Sequence, residues 1–126
     1  MNEIPEPTLQ YTRLAAEQVR LANHAAYDAP RGDTSNLYDR TGAVHELLSR
    51  TEQLVQVLGE QVQRVISAEG LRAADGRSPD RKAANAAAHL LAAGNAVRSA
   101  CGHVNDAWSE LSPLYIDAPE EGGTDE

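Results

Sequence analysis

The side chains with the greatest capacity for chemistry lie between positions 96 and 108, in the stretch AVRSACGHVNDAW. It holds a guanidinium, the only thiol of the chain, an imidazole, an amide and a carboxylate, from Arg98, Cys101, His103, Asn105 and Asp106. A thiolate beside an imidazole is an arrangement that supports nucleophilic catalysis. Cys101 and His103 are two residues apart, about 200° around an ideal helix, so they cannot form that pair. We therefore expect Cys101 to be a small, buried core residue.

Arg98 and His103 form the pattern Arg-x4-His within RSACGH. This pattern resembles the motif of HEPN-domain ribonucleases, which are small all-helical domains and often dimers. The resemblance implies metal-independent RNA cleavage by Arg98 and His103 at a dimer interface. Residues five apart point about 140° apart on a straight helix, so they converge only with a distorted helix or a contribution from a partner.

The remaining ionisable residues do not suggest a metal or cofactor site. His24, His45 and His89 lie on three different predicted helices, with no partner four residues away that would offer two ligands to one ion. The glutamates of the second predicted helix are expected on its solvated side: Glu46, Glu52, Glu60 and Glu69. We expect no metal, no cofactor and no catalytic residue. The RGD at 31–33 is predicted to serve loop geometry and capping.

Start and stop signals divide the chain into three helices. Ser78 followed by Pro79 is a strong helix start, Gly70 is a suitable stop, and Pro30 disfavours helix at the residue before it. Thr8 is a possible cap for the first helix. The predicted organisation is an extended lead at 1–7, a single helical domain at 8–116 with helices at about 8–28, 35–70 and 79–115, and a disordered acidic tail at 117–126.

Apolar residues recur every seven positions along the second and third predicted helices. The rows of the third helix contain only apolar residues and glycine, and they make a stripe wide enough to pack against more than one neighbour. We expect Trp108 to be buried, because its indole brings much more apolar area than the surrounding alanines. The residues expected in the core or at an interface are Leu90, Val97, Cys101, Val104, Trp108 and Leu111, with Leu54 and Leu58 of the second helix.

These elements predict an all-α fold, a three-helix antiparallel bundle built on a long helical hairpin with a shorter N-terminal helix. Helices of about 35 residues are about 50 Å long, whereas the first helix covers only about 30 Å. The uncovered part of the apolar stripe predicts self-association, most simply as a homodimer.

Composition narrows the classes of partner. The net charge is −8 and the arginines are scattered along the sequence. We therefore expect no nucleic-acid partner, and we expect that a protein partner would be basic. No signal peptide or membrane span is visible, which predicts a cytoplasmic protein, although export without a signal peptide stays open. Ten arginines against one lysine, with many alanines, is typical of GC-rich genomes such as actinobacterial ones.

The predicted hairpin also resembles WXG100-type secreted proteins, which are dimeric helical hairpins of about this length. The resemblance lies in architecture, because the turn sequence ADGRS carries no Trp-x-Gly, and Pro119 stands where the family's C-terminal acidic residue is expected. With no motif for nucleotide, phosphate, metal or acyl chemistry, we expect a non-enzymatic, self-associating protein-protein interaction protein, an adaptor or regulator. A HEPN-like ribonuclease and a WXG100-like secreted hairpin are the alternatives.

Overall fold

The computed structural model describes residues 6–28 and 34–117, which form three α-helices and no strand. They are α1 (Pro7–Asp28), α2 (Thr34–Ile66) and α3 (Pro79–Leu111). The predicted all-α class is therefore confirmed. The chain divides into two compact units, Met1–Asp33 and Thr34–Glu126, which we describe separately. The predicted RGD turn at 31–33 and the predicted tail beyond residue 117 lie outside the described residues.

The first unit contains α1, which begins at Pro7 rather than at residue 8. Glu6, not Thr8, caps it: the Glu6 carboxylate accepts a hydrogen bond from the Leu9 N–H at 2.6 Å. This bond lowers the pKa of Glu6 below its ordinary value. Proline suits the first helical position because no intrahelical partner exists there for an N–H. Thr8 lies inside the helix, and its carbonyl accepts from the Thr12 hydroxyl.

The second unit is a hairpin in which α2 packs closely against α3. Contacts pair early residues of α2 with late residues of α3, from Gly42 with Trp108 to Gly59 with Leu90, so the two helices are antiparallel. The predicted helix start at Ser78 is present, since its Oγ accepts from the Arg81 N–H at 3.3 Å. The predicted helical hairpin is therefore confirmed.

Both hairpin helices end four residues earlier than predicted. After Ile66, the Ala68 N–H bonds to the Val65 carbonyl at 3.0 Å, a tighter turn that ends α2 before Gly70, whose φ is +82°. After Leu111, the Leu114 N–H bonds back to the Leu111 carbonyl at 3.0 Å. Pro113 has no N–H to continue the helical ladder, so α3 does not reach Tyr115.

The most buried row of the hairpin consists of small residues seven apart on α3. Ala87, Gly94 and Cys101 are the buried residues of this helix. The other residues expected in the core or at an interface are partly buried: Leu54, Leu58, Leu90, Val97, Val104, Trp108 and Leu111. The interhelical core is therefore thin, and its centre is made of small side chains that let the two backbones approach closely.

One row of the predicted stripe is not covered by α2. Its alanines are exposed on the hairpin: Ala86, Ala93, Ala100 and Ala107. On α2, Val44 lines a groove together with Ala107, and Val44, Leu47 and Val65 are between 39% and 44% exposed. We call these seven residues the alanine face. None of the helices described has the combination of length and apolarity that crossing a bilayer requires.

Candidate functional site

The indole of Trp108 lies against Tyr38, Gly42 and His45, which follow one another along α2 at spacings of four and three residues. Its ring centroid is 5.5 Å from that of Tyr38 and 5.7 Å from that of His45, with tilted planes in both cases. Gly42 lies between these two positions. A Cβ placed on Gly42 would come within 2.8 Å of the indole carbons Cε2 and Cζ2. The absence of a side chain at Gly42 is therefore what makes room for the tryptophan.

The Trp108 ring is held by shape and apolar contact. Its Nε1 is buried and has no hydrogen-bond partner among the residues described. A buried N–H without a partner costs about 1–3 kcal/mol, which packing of the large ring must offset. The contacts of Trp108 therefore serve the packing of α2 against α3.

Cys101 is 8% exposed and sits one helical heptad before Trp108. Its Sγ is 3.2 Å from the Ser49 Oγ, and the thiol donates to the His45 carbonyl at 3.7 Å. The imidazole of His45 contacts the indole, while its backbone carbonyl receives the thiol. Cys101 is thus a core residue with two polar contacts, as its position on the apolar stripe indicates.

Arg98 joins the two helices through an ion pair with Glu52. The Arg98 Nε donates to the Glu52 Oε2 at 2.7 Å, and the Gln56 amide donates to the same oxygen at 3.2 Å. The Glu52 side chain is only 18% exposed. The prediction that Glu52 lies on the solvated side of α2 is therefore wrong: an arginine from α3 partners it in the interhelical seam.

Arg98 and His103 are not brought together within one chain. The guanidinium of Arg98 reaches across to α2, whereas His103 is exposed. On a regular helix, residues five apart diverge by about 140°, and α3 is continuous through both positions. Asn105 and Asp106 are also exposed. The stretch from 96 to 108 is thus divided by the helix into a packed side and a solvated side.

Among the residues that the structure describes, the hairpin has a larger and a smaller depression. The larger, about 560 Å³ in volume, is near the α2–α3 loop, and we call it the loop-end groove. Its apolar lining is Val55, Gly59, Ile66, Ala84, Ala87, Ala88 and Leu91, and its polar lining is Gln56, Glu60 and Gln63. The smaller, about 210 Å³, lies at the other end of the hairpin, beside the alanine face, between Arg40, Thr41, Val44, Val104 and Ala107. Both are grooves lined mainly by small or aliphatic side chains, which suit apolar side chains of a partner.

No group of three or more histidine, cysteine, aspartate or glutamate side chains suited to a metal ion occurs in residues 6–28 and 34–117. His24 and His89 are exposed. Comparison of the chain with protein-family models, with curated proteins and with solved structures gives no match.

The interhelical residues that sequence reasoning missed are Tyr38, Gly42, His45, Ser49 and Glu52. A signal for three of them was present, since Tyr38, His45 and Glu52 are seven residues apart and continue to Gly59 and Ile66. This row contains an aromatic ring, an imidazole and a carboxylate, so it does not show the apolar pattern of a heptad repeat. The rows that begin at Val44 and Leu47 are more apolar, yet Val44 and Leu47 lie on the uncovered side.

Proposed function

We propose that the protein is a non-enzymatic helical interaction protein, an adaptor or regulator, that self-associates through the hairpin. The observation that carries the proposal is the alanine face. Its exposed residues on α3 recur every seven positions from Ala86 to Ala107, about 32 Å along the helix. Contiguous apolar surface of this kind is typical of protein-protein contact sites.

The chemistry of the alanine face suits another helix. Alanine side chains permit a short distance between helix axes, near the lower end of the usual 8–10 Å. Val44 of α2 provides a larger side chain beside Ala107. A partner helix with an apolar stripe would therefore pack between the alanine row and the α2 aliphatics.

We propose that another copy of the chain covers the alanine face, in a dimer with a bundle core. The three-helix antiparallel bundle with α1 stays a separate prediction. In the first unit, Leu9, Leu14 and Leu21 of α1 are between 46% and 50% exposed. With 22 residues, α1 is about 33 Å long, against about 50 Å for the 33-residue α2.

The test measures mass in solution by light scattering for the wild type and for two variants that replace an alanine by glutamate. Ala100→Glu places a charge on the alanine face. Ala92→Glu makes the same change at an exposed position of α3 that has no residue of the alanine face three or four positions away. We expect a dimer for the wild type and for Ala92→Glu, and a monomer for Ala100→Glu. A wild-type particle of 13.5 kDa at micromolar concentration would overturn the proposal.

The alternatives remain predictions. A HEPN-like ribonuclease needs Arg98 and His103 of two copies to meet, and the ion pair of Arg98 with Glu52 does not favour this. Incubation with labelled RNA in the presence of a chelator tests it, and cleavage lost in both Arg98→Ala and His103→Ala would establish the ribonuclease. A WXG100-like secreted hairpin, a cytoplasmic location, an actinobacterial source and a basic protein partner likewise stay predictions.

A further inference from the structure

The loop-end groove and the segment after α3 have complementary surfaces. Leu91 at the groove is 64% exposed, and the small side chains of Gly59 and Ala84 leave room beside it. The segment that follows α3 exposes three consecutive apolar residues: Leu114 is 57% exposed, Tyr115 78% and Ile116 60%. Each surface therefore leaves apolar area in water that the other would cover.

The segment cannot reach the groove of its own chain. Leu91 precedes the end of α3 at Leu111 by twenty residues, about 30 Å along the helix. Five extended residues from the end of α3 to Ile116 span at most about 18 Å. The groove and the segment thus lie at opposite ends of one hairpin, and only another molecule can bring them together.

Charge favours the same pairing. Between residues 64 and 82 the chain has five basic residues and three acidic ones, whereas residues 117–126 have five acidic residues and no basic one. Lys82 is paired with Asp75 at 2.7 Å, and Arg81 precedes the groove residues Ala84 and Ala88 by three and seven positions, on the same side of α3. One acidic side chain, Glu60, lines the groove itself.

We propose that the segment Leu114–Asp117 of one copy docks in the loop-end groove of a second copy. This rests on the proposed self-association. Leu91 lies about 200° around α3 from Ala93, so the segment contact is separate from the alanine face. In an antiparallel pair, the end of α3 in one copy lies beside the loop of the other. The contact then occurs twice about a twofold axis and closes the assembly as a dimer.

The experiment is a charge-swap cycle in the full chain, read as the dimer dissociation constant by sedimentation equilibrium. Leu91→Arg and Ile116→Glu each place a charge in the proposed contact, and by symmetry the double variant places the two new charges against each other. Ser99→Arg, at an exposed position of α3 with no groove residue within four positions, is the control. Circular dichroism checks the helix content of each variant, and all three positions tolerate a charge because they are exposed.

We expect each single variant to weaken the dimer by about tenfold or more, the double variant to recover most of that loss, and Ser99→Arg to behave as the wild type. High salt should weaken the wild-type dimer, because the C-terminal sequence and the basic loop region at 64–82 carry opposite charges. A wild-type dimer that the single variants leave unchanged, or losses that merely add in the double variant, would overturn the docking proposal and leave self-association standing. A monomeric wild type would overturn both.

Discussion

The contact between Gly42 and Trp108 predicts a reversal in the usual effect of replacing glycine in a helix. Glycine in a helix interior is less favourable than alanine by about 1 kcal/mol, so Gly→Ala normally stabilises. At Gly42 the new Cβ would lie 2.8 Å from two indole carbons and 3.0 Å from the indole nitrogen. We therefore expect Gly42→Ala to destabilise the hairpin.

The magnitude follows from two opposing terms. Inserting a methyl group into a packed contact forces side chains from their preferred positions and typically costs about 1–3 kcal/mol. The gain in helix propensity offsets about 0.5–1 kcal/mol of that cost. The expected net loss in the free energy of unfolding is therefore about 0–2.5 kcal/mol.

Other glycines of the same two helices provide matched controls. Gly102 has no atom within 4 Å of the added Cβ, and at Gly59 the nearest is the Leu90 Cβ at 3.6 Å, an ordinary contact. We expect Gly102→Ala and Gly59→Ala to raise the free energy of unfolding by about 0.5–1 kcal/mol. Urea denaturation followed by far-ultraviolet circular dichroism measures all three variants in the same way.

Repeating Gly42→Ala in a protein that already carries Trp108→Ala separates the clash with the indole from other effects of the substitution. In Trp108→Ala the obstructing ring is absent, so Gly42→Ala should become stabilising by about 0.5–1 kcal/mol, as at Gly102. The reasoning would be refuted if Gly42→Ala stabilised the wild type as much as Gly102→Ala does. It would also fail if the Gly42→Ala effect were the same with and without the indole.

Three further changes test the hairpin. Trp108→Ala should lower the free energy of unfolding by about 3–5 kcal/mol in urea denaturation, because it removes the largest ring in the interhelical seam. Arg98→Ala should cost no more than about 1 kcal/mol in the same assay, because the side chain that pairs with Glu52 is 63% exposed; a larger loss would mean that the pair is central to the seam. The pKa of Asp75 is lowered, chiefly by its hydrogen bond with Lys82, so its stabilising effect is present above its ordinary pKa and is lost as the pH falls through the lower folded value. Asp75→Asn should flatten that acid dependence of the melting temperature, and an unchanged acid profile would contradict this.

The hairpin was predictable because its signals are local and repeated. The row through Ala87, Gly94 and Cys101 recurs every seven residues, and Ser78 with Pro79 marks the start of its helix. The helix ends were less predictable, because the last turn is decided by competition between bonds to the third and fourth preceding carbonyls. Gly70 occupies a turn with positive φ, but α2 has already ended at Ile66.

The contacts across the hairpin were not predictable in the same way. Locally, Gly42 only weakens a helix, and its role depends on an indole 66 positions away. A glutamate among polar neighbours, such as Glu52, is expected on the solvated face of a helix. Its place in the seam depends on its pairing with Arg98 of the antiparallel helix. Such residues become recognisable once the register of α2 against α3 is known, because each role belongs to a pair.

The difference between repeated signals and contacts of specific pairs also matters for the proposed dimer, because its helices need one defined alignment. The fit of Trp108 against Gly42 is specific in shape, so it favours one alignment of α2 with α3. The alanine row of α3 has no comparable feature, because identical small residues every seven positions allow a partner helix to shift by one heptad with little change in contact. A unique dimer then needs a distinctive contact elsewhere. The exposed residues Leu114, Tyr115 and Ile116 would supply it by docking in the loop-end groove of the partner copy.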